Sequence, residues 1–247
     1  MLTASLTCPK PPEPKSILLI GPPGGGKTTL AMQFPSPCFM DCDGNLDGPS
    51  GFLGKPPFAW CPIRFTDDGK PVELEQCFDR LIQELIFVAK QDHIKTVIID
   101  SLTMVNEFVI RKILSQQARP FGEMEARDWI PFKSKFLTLL VRILRGMNKT
   151  TICAVHEVIL TKSDPKNMMN VIIEGYRPSV QGSVTDYFGA FFTDVWRCTS
   201  SPPIGGKPQP YQVQTVKDSR SPDLKSSCGM PGEMKAEWAE VNKYLKL

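Results

Sequence analysis

Eight consecutive residues leave this chain few folds to choose from: Gly21, Pro22, Pro23, Gly24, Gly25, Gly26, Lys27 and Thr28. They fit the spacing G-x-x-x-x-G-K-[ST] at every required position. Each residue type in that pattern has its own physical task. The glycines let successive backbone N–H groups turn inward around an anion without Cβ clashes. A helix beginning near Lys27 aims unpaired N–H donors at the same anion. The lysine reaches terminal phosphates, and the Thr28 hydroxyl, followed by Thr29, stands where a magnesium ligand is needed. The pattern works only between a buried strand and a helix, and the flanks agree. Residues 16–20 (SILLI) form a short apolar run of the kind found in a strand covered on both faces. Residues 28–34 read as a helix ended by Pro35.

The same reading along the chain yields an alternation. A second strand is expected over 38–41 (CFMD), then a Gly- and Pro-rich irregular stretch over 48–69. An amphipathic helix is predicted over 73–90, a strand over 96–99 ending at Asp100, and helices over 104–117 and 129–144. A buried strand over 151–155 (TICAV) follows, with a helix over 184–192, strands over 194–198 and 212–216, and a closing helix over 233–244. Strand alternating with helix predicts an α/β chain with a mostly parallel central sheet flanked by helices. One domain is expected over 16–247, with a flexible tail over 1–15 and a mobile segment near 157–182.

Asp100 completes the phosphate site. It follows Thr-Val-Ile-Ile, at the carboxyl end of a predicted parallel strand, where open sheets of this kind bind ligands. A carboxylate there can hold magnesium directly or through water. The expected cofactors are therefore ATP and Mg²⁺, with Thr28 and Asp100 as metal ligands.

Composition narrows the rest. Hydrophobic residues at 41% and charged residues at 22% are ordinary for a globular chain. Net charge is only +3, yet residues 111–149 hold nine Lys or Arg against three acids. Arg111, Lys112, Arg119 and Arg127 are therefore candidates for a basic surface. No apolar run approaches the about 20 residues that span a bilayer. The N-terminal residues lack the pattern of a secretory signal, so a soluble, cytoplasmic protein is expected. Eight cysteines occur without a single C-x-x-C pair, which argues against a zinc or redox motif.

Beyond the phosphate site, the segments GPPGGGKTT, CFMDCDGN, TVIIDSLT, TICAVHE, GYRPSVQG, FFTDVWR and TVKDSR together resemble the RecA-like P-loop ATPases, specifically small phage-encoded members linked to single-strand annealing and recombination. They cover most of the chain from residue 16 to residue 220. The resemblance implies a RecA-like core and ATP hydrolysis stimulated by single-stranded DNA. It also implies assembly into a ring or filament and work beside a single-strand binding protein. It gives Asp43, with Asp41 nearby, the position of the acid that polarises the attacking water, where family members usually carry Glu. His156 takes the place of a polar residue that senses the γ-phosphate. Lys162, Lys166, Tyr176 and Arg177 fall in a DNA-contacting loop. Lys217 and Arg220 take the place of fingers reaching a neighbouring subunit's nucleotide. The catalytic set on this reading is Lys27, Asp43, Asp100 and His156.

Three other classes use the same phosphate loop. A nucleotide or small-molecule kinase needs an Arg-rich lid, and no Arg-x-x-x-Arg signature is present. A helicase loader of the AAA+ type adds a helical C-terminal lid with a sensor arginine, whereas this tail reads as strands plus one helix. A nucleotide-gated assembly protein needs no efficient turnover, and Asp in place of Glu at position 43 is compatible with it.

Overall fold

The computed structural model describes residues 14–45, 59–164, 167–182, 184–201 and 209–245. Among them one sheet of nine strands runs through the molecule. In chain order the strands are β1 (Ser16–Gly21), β2 (Pro37–Asp41), β3 (Ala59–Pro62), β4 (Thr96–Asp100) and β5 (Thr150–Asp164), then β6 (Asn167–Pro178), β7 (Asp194–Thr199), β8 (Gln212–Gln214) and β9 (Glu233–Lys235). Their order across the sheet is β3-β2-β4-β5-β1-β7-β8-β9, with β6 paired to the far part of β5. Strands β3 to β7 along that path are parallel, and β8 and β9 close the edge antiparallel. The helices are α1 (Lys27–Ala31), α2 (Leu74–Ala89), α3 (Leu102–Gln116), α4 (Trp129–Leu137) and α5 (Trp238–Leu245). This is the mixed α/β architecture, with a mostly parallel sheet flanked by helices, that the alternating sequence pattern predicts.

Successive side chains of a strand point to opposite faces, so the apolar runs feed two cores. Leu18 and Ile20 of β1, Met40, Ile99 and Val155 face α2, α3 and α4, and pack with Leu81, Phe108, Phe132 and Phe136. Ile17 and Leu19, with Phe39, Ile98, Ile152 and Trp196, face the other way onto Leu30, Phe34 and Val241. Burial on both faces explains why β1, β2 and β4 read as unbroken apolar runs. Helix α2 shows the complementary pattern, burying Cys77, Phe78, Leu81, Leu85 and Val88 on one stripe. No helix among the described residues is long and apolar enough to cross a membrane.

Several expectations are revised. The stretch 48–69 contains a strand, β3, on the sheet edge; residues 46–58 lie outside the described residues. Its four residues, Ala-Trp-Cys-Pro, are half exposed and end in proline, so neither alternation nor a buried apolar run marks it. The segment 157–182, expected to be a mobile loop, is a paired ribbon. Strand β5 continues past the sheet to Asp164, and β6 returns antiparallel, with Ile159 opposite Tyr176 and Lys162 opposite Ile172. The β-branched runs Val158–Ile159 and Val171–Ile172–Ile173 favour that conformation. The predicted helix over 129–144 is α-helical only to Leu137 and widens to a π-helix over Thr138–Leu144. Residues Thr185–Phe191 form a 3-10 helix. The closing helix starts at Trp238, since Glu233–Lys235 is taken by β9.

Candidate functional site

Parallel pairing sets the carboxyl ends of β1, β2, β4 and β5 level with one another. Gly21 lies opposite His156, and Asp41 lies opposite Asp100. The phosphate loop, the acids after β2 and β4, and His156 therefore meet at one sheet edge. Between them is a cleft of about 410 Å³ lined by residues 23–29 together with Asp41, Asp43, Asn45, Asp100, His156 and Tyr211.

Backbone shape dictates the loop. The Gly25 N–H donates to Pro22 O at 3.0 Å, closing the turn. Gly26 has φ 89°, in the left-handed region, and a Cβ there would come 2.4 Å from Cγ of the Tyr211 ring. Gly21 must also be glycine, because a Cβ there would stand 2.2 Å from the Cys198 carbonyl oxygen. The neighbouring strand β7 leaves no room for a side chain.

Lys27 is buried, and its Nζ donates to Gly21 O at 2.8 Å and Pro22 O at 2.9 Å. Burial lowers its pKa, opposed by the nearby charges, Asp100 among them. The amine is held along the loop by these two carbonyls. The Thr28 hydroxyl donates to Asp100 Oδ2 at 2.5 Å. Burial pushes the Asp100 carboxyl up to about 6, and the Thr28 hydrogen bond opposes that rise. Asp41 is also raised, chiefly by burial.

Asp41 and Asp43 lie close enough at this edge for their charges to raise the Asp100 pKa, with Lys27 beside Asp100 and Asp43, which is the environment a divalent cation relieves. Thr28 and Asp100 offer adjacent hard oxygen donors. Among the described residues no group of three or more His, Cys, Asp or Glu could hold a metal unaided. Magnesium takes one or two protein oxygens and completes its shell with phosphates and water.

Asp41 and Asp43 do different work. Asp41 accepts from the Gly44 N–H at 2.7 Å and from Trp60 Nε1 at 3.2 Å, so it is spent on fixing the turn after β2. Asp43 Oδ1 accepts from the Ser101 N–H at 3.2 Å and the Ser101 hydroxyl at 2.9 Å. Its Oδ2 stands 3.6 Å from His156 Nε2. Burial raises the Asp43 pKa, but the nearby His156 ring and the Ser101 hydrogen bonds outweigh it and leave the carboxyl below its ordinary value. Asp43 is therefore an ionised acceptor beside the phosphate loop. The His156 backbone N–H donates to Thr103 Oγ1 at 3.0 Å, tying β5 to the start of α3.

One residue further along β5, Glu157 forms a two-point ion pair with Arg197 of β7, at 2.8 and 2.9 Å. The pair bridges the strands on either side of β1, and Glu157 is only 3% exposed.

Other predicted residues lie elsewhere. Lys162 pairs with Glu174 across the ribbon at 2.8 Å. Lys166 lies outside the described residues. The Tyr176 ring is covered on one face by the Arg197 guanidinium, 3.6 Å from its centroid, which leaves that face unable to take a base. Arg177 is exposed and lines a second cleft beyond His156. Lys217 and Arg220 are exposed on a turn and do not line the cleft around the glycine-rich loop. The Arg220 carbonyl accepts from the Tyr176 N–H at 2.8 Å, so that turn braces the ribbon.

The basic surface expected from Arg111, Lys112, Arg119 and Arg127 is neutralised. Arg111 pairs with Glu107, Lys112 with Asp79, Arg119 with Glu125 and Asp128, and Arg127 with Glu125. Excess of charge along a sequence says nothing about acids brought in from other helices.

Tyr211 and the Glu157–Arg197 pair carry no sequence signal. Tyr211 sits in an unpatterned Pro-Gln-Pro-Tyr stretch, and the pair joins residues 40 apart.

No curated protein matches the chain. A family model described as an AAA domain matches residues 13–221, which takes in β1, the phosphate loop, Asp43, Asp100, His156 and the turn bearing Lys217 and Arg220. With most of its length matched and its phosphate loop and strand-end acids facing one cleft, the chain belongs to this AAA-domain family of P-loop ATPases.

Proposed function

We propose that the protein hydrolyses ATP with Mg²⁺ and couples that turnover to single-stranded DNA, in recombination, annealing or replication of the RecA-like phage type. One observation carries the reading: β5 runs without a break from the nucleotide cleft into the ribbon. His156 is in register with Gly21, the ribbon starts one residue later, and the returning strand ends where the Ser179 N–H donates to His156 O at 2.7 Å. A change at the γ-phosphate is felt at the root of the ribbon.

In this reading Thr28 and Asp100 hold magnesium, which supplies neutralising charge for the phosphates. Lys27 exchanges its loop carbonyls for β- and γ-phosphate oxygens. Asp43, ionised and aimed by Ser101, orients the attacking water and accepts its proton. His156 links that carboxylate to the ribbon. Lys217 and Arg220 act on the nucleotide of a neighbouring copy, so the active form is a homo-oligomer, aided by a single-strand binding protein in the cytoplasm.

The test is steady-state ATP hydrolysis with and without single-stranded DNA, using Lys27→Ala as the blank. Stimulation by DNA that His156→Ala abolishes supports the coupling. Turnover indifferent to DNA removes the DNA-linked reading and leaves the ATPase.

A second reading, a kinase, is favoured by one feature. The cleft beyond His156, about 690 Å³, shares Asp43, Asn45 and His156 with the nucleotide cleft and is large enough for a phosphoryl acceptor.

A further inference from the structure

The second cleft has an electrostatic character that the nucleotide site does not use. Arg64 enters it from the residue after Ile63, just past β3, and Arg177 enters it from the end of β6. Neither guanidinium is in an ion pair among the described residues; the one hydrogen bond of Arg64 is from Nη1 to the Asp43 carbonyl oxygen at 3.4 Å. The acids on the cleft wall are already engaged. Glu107 is paired with Arg111 at 2.6 Å, and Asp43 is held by Ser101 and faces His156. Two arginines without an ion pair among the described residues therefore line one cleft whose acids are engaged, and a planar guanidinium fits phosphate oxygens in a two-point geometry.

We infer that Arg64 and Arg177 form an anion site that takes a backbone phosphate of single-stranded DNA, on the far side of Asp43 and His156 from the nucleotide. The inference rests on the DNA-coupled reading above and names where the strand enters. Arg64 touches the Asp43 backbone and Arg177 lies two residues from Ser179, which is bonded to His156. A phosphate drawn between them pulls on both members of the Asp43–His156 contact. DNA binding and water activation then share one set of atoms, with no longer path required.

The experiment is fluorescence anisotropy of a labelled oligo-dT strand with the full chain and a non-hydrolysable MgATP analogue, across a salt series. Each phosphate contact on a single strand contributes about 0.7 to the slope of log K against log salt. The double change Arg64→Ala with Arg177→Ala is expected to lower the slope by about that amount, and each single change to lower it by part of it. Arg64→Lys, which keeps the charge, is expected to restore it, an outcome a folding defect does not give. Lys70→Ala, at an exposed lysine paired with Asp68, is expected to leave the slope unchanged. If the wild-type chain binds the strand and Arg64→Ala keeps the full slope, the anion site is wrong and the DNA-coupled reading survives. If the wild-type chain neither binds the strand nor responds to it in turnover, both fail together. Phosphoryl transfer to a mononucleotide, without any response to the oligonucleotide, makes the cleft an acceptor site and overturns the inference.

Discussion

Replacing Asp100 with Asn should stabilise the nucleotide-free protein while disabling it. The carboxyl is raised from 3.8 to about 6, chiefly by burial. The folded state therefore holds the Asp100 proton more tightly than the unfolded chain does. Stability from this group is fully present below about pH 4, is lost as pH rises through about 6, and is flat above that. A shift of about two units corresponds to roughly 3 kcal/mol of penalty for the ionised form at pH 8. Asn keeps an oxygen to accept the Thr28 hydroxyl and removes the charge, but its amide N–H₂ must find an acceptor, which costs about 1–2 kcal/mol. The net gain expected for Asp100→Asn at pH 8 is about 1–2 kcal/mol, or roughly 2–8 °C in Tm. The assay is thermal unfolding of both proteins without nucleotide from pH 5 to pH 8. The gap should be widest above pH 7 and shrink toward pH 5. With MgATP the order should reverse, because wild type gains RT ln(1 + [L]/Kd) and the variant loses a metal ligand. An Asn variant less stable than wild type at pH 8, or a gap that ignores pH, refutes the argument that burial of a charge at Asp100 is the source of the strain.

Two further outcomes test the frame around the cleft. Glu157→Gln should leave Arg197 buried without its partner charge and destabilise the fold by about 3–5 kcal/mol. In the cycle of wild type, Glu157→Leu, Arg197→Met and the two together, the double change should cost less than either single one; chemical denaturation measures all of these. Gly26→Ala forces a Cβ into φ 89° and into the Tyr211 ring, so titration with a fluorescent ATP analogue should show at least about tenfold weaker binding. Adding Tyr211→Ala should recover only part of that loss, because removing the ring does not relieve the backbone.

The glycine-rich loop was legible in the sequence. Gly21 to Thr28 is a local pattern, since a backbone turn and the two side chains after it are set by adjacent residues. Asp100 was legible for a related reason: a buried parallel strand is an unbroken apolar run, and the first charge after it must stand at the sheet edge. Strand β3 was not legible, because a four-residue edge strand needs no burial and its residues follow no period. The ribbon over 157–182 was not legible, because Val158–Leu160 and Val171–Ile173 do not alternate with polar residues. The different bonding of Asp41 and Asp43 could not be read from two acids flanking one cysteine; Trp60 from β3 and Ser101, the N-cap of α3, distinguish them. Likewise Arg111, Lys112, Arg119 and Arg127 looked like a basic surface until Glu107, Asp79 and the acids of the 123–128 loop supplied their partners. What adjacent residues decide, the chain alone determined. What depends on which distant residue neutralises or covers a group, such as Arg64 beside Asp43, Arg197 on Tyr176 and Tyr211 on Gly26, only the folded sheet decided, because charge pairing and packing act through space and leave no period along the chain.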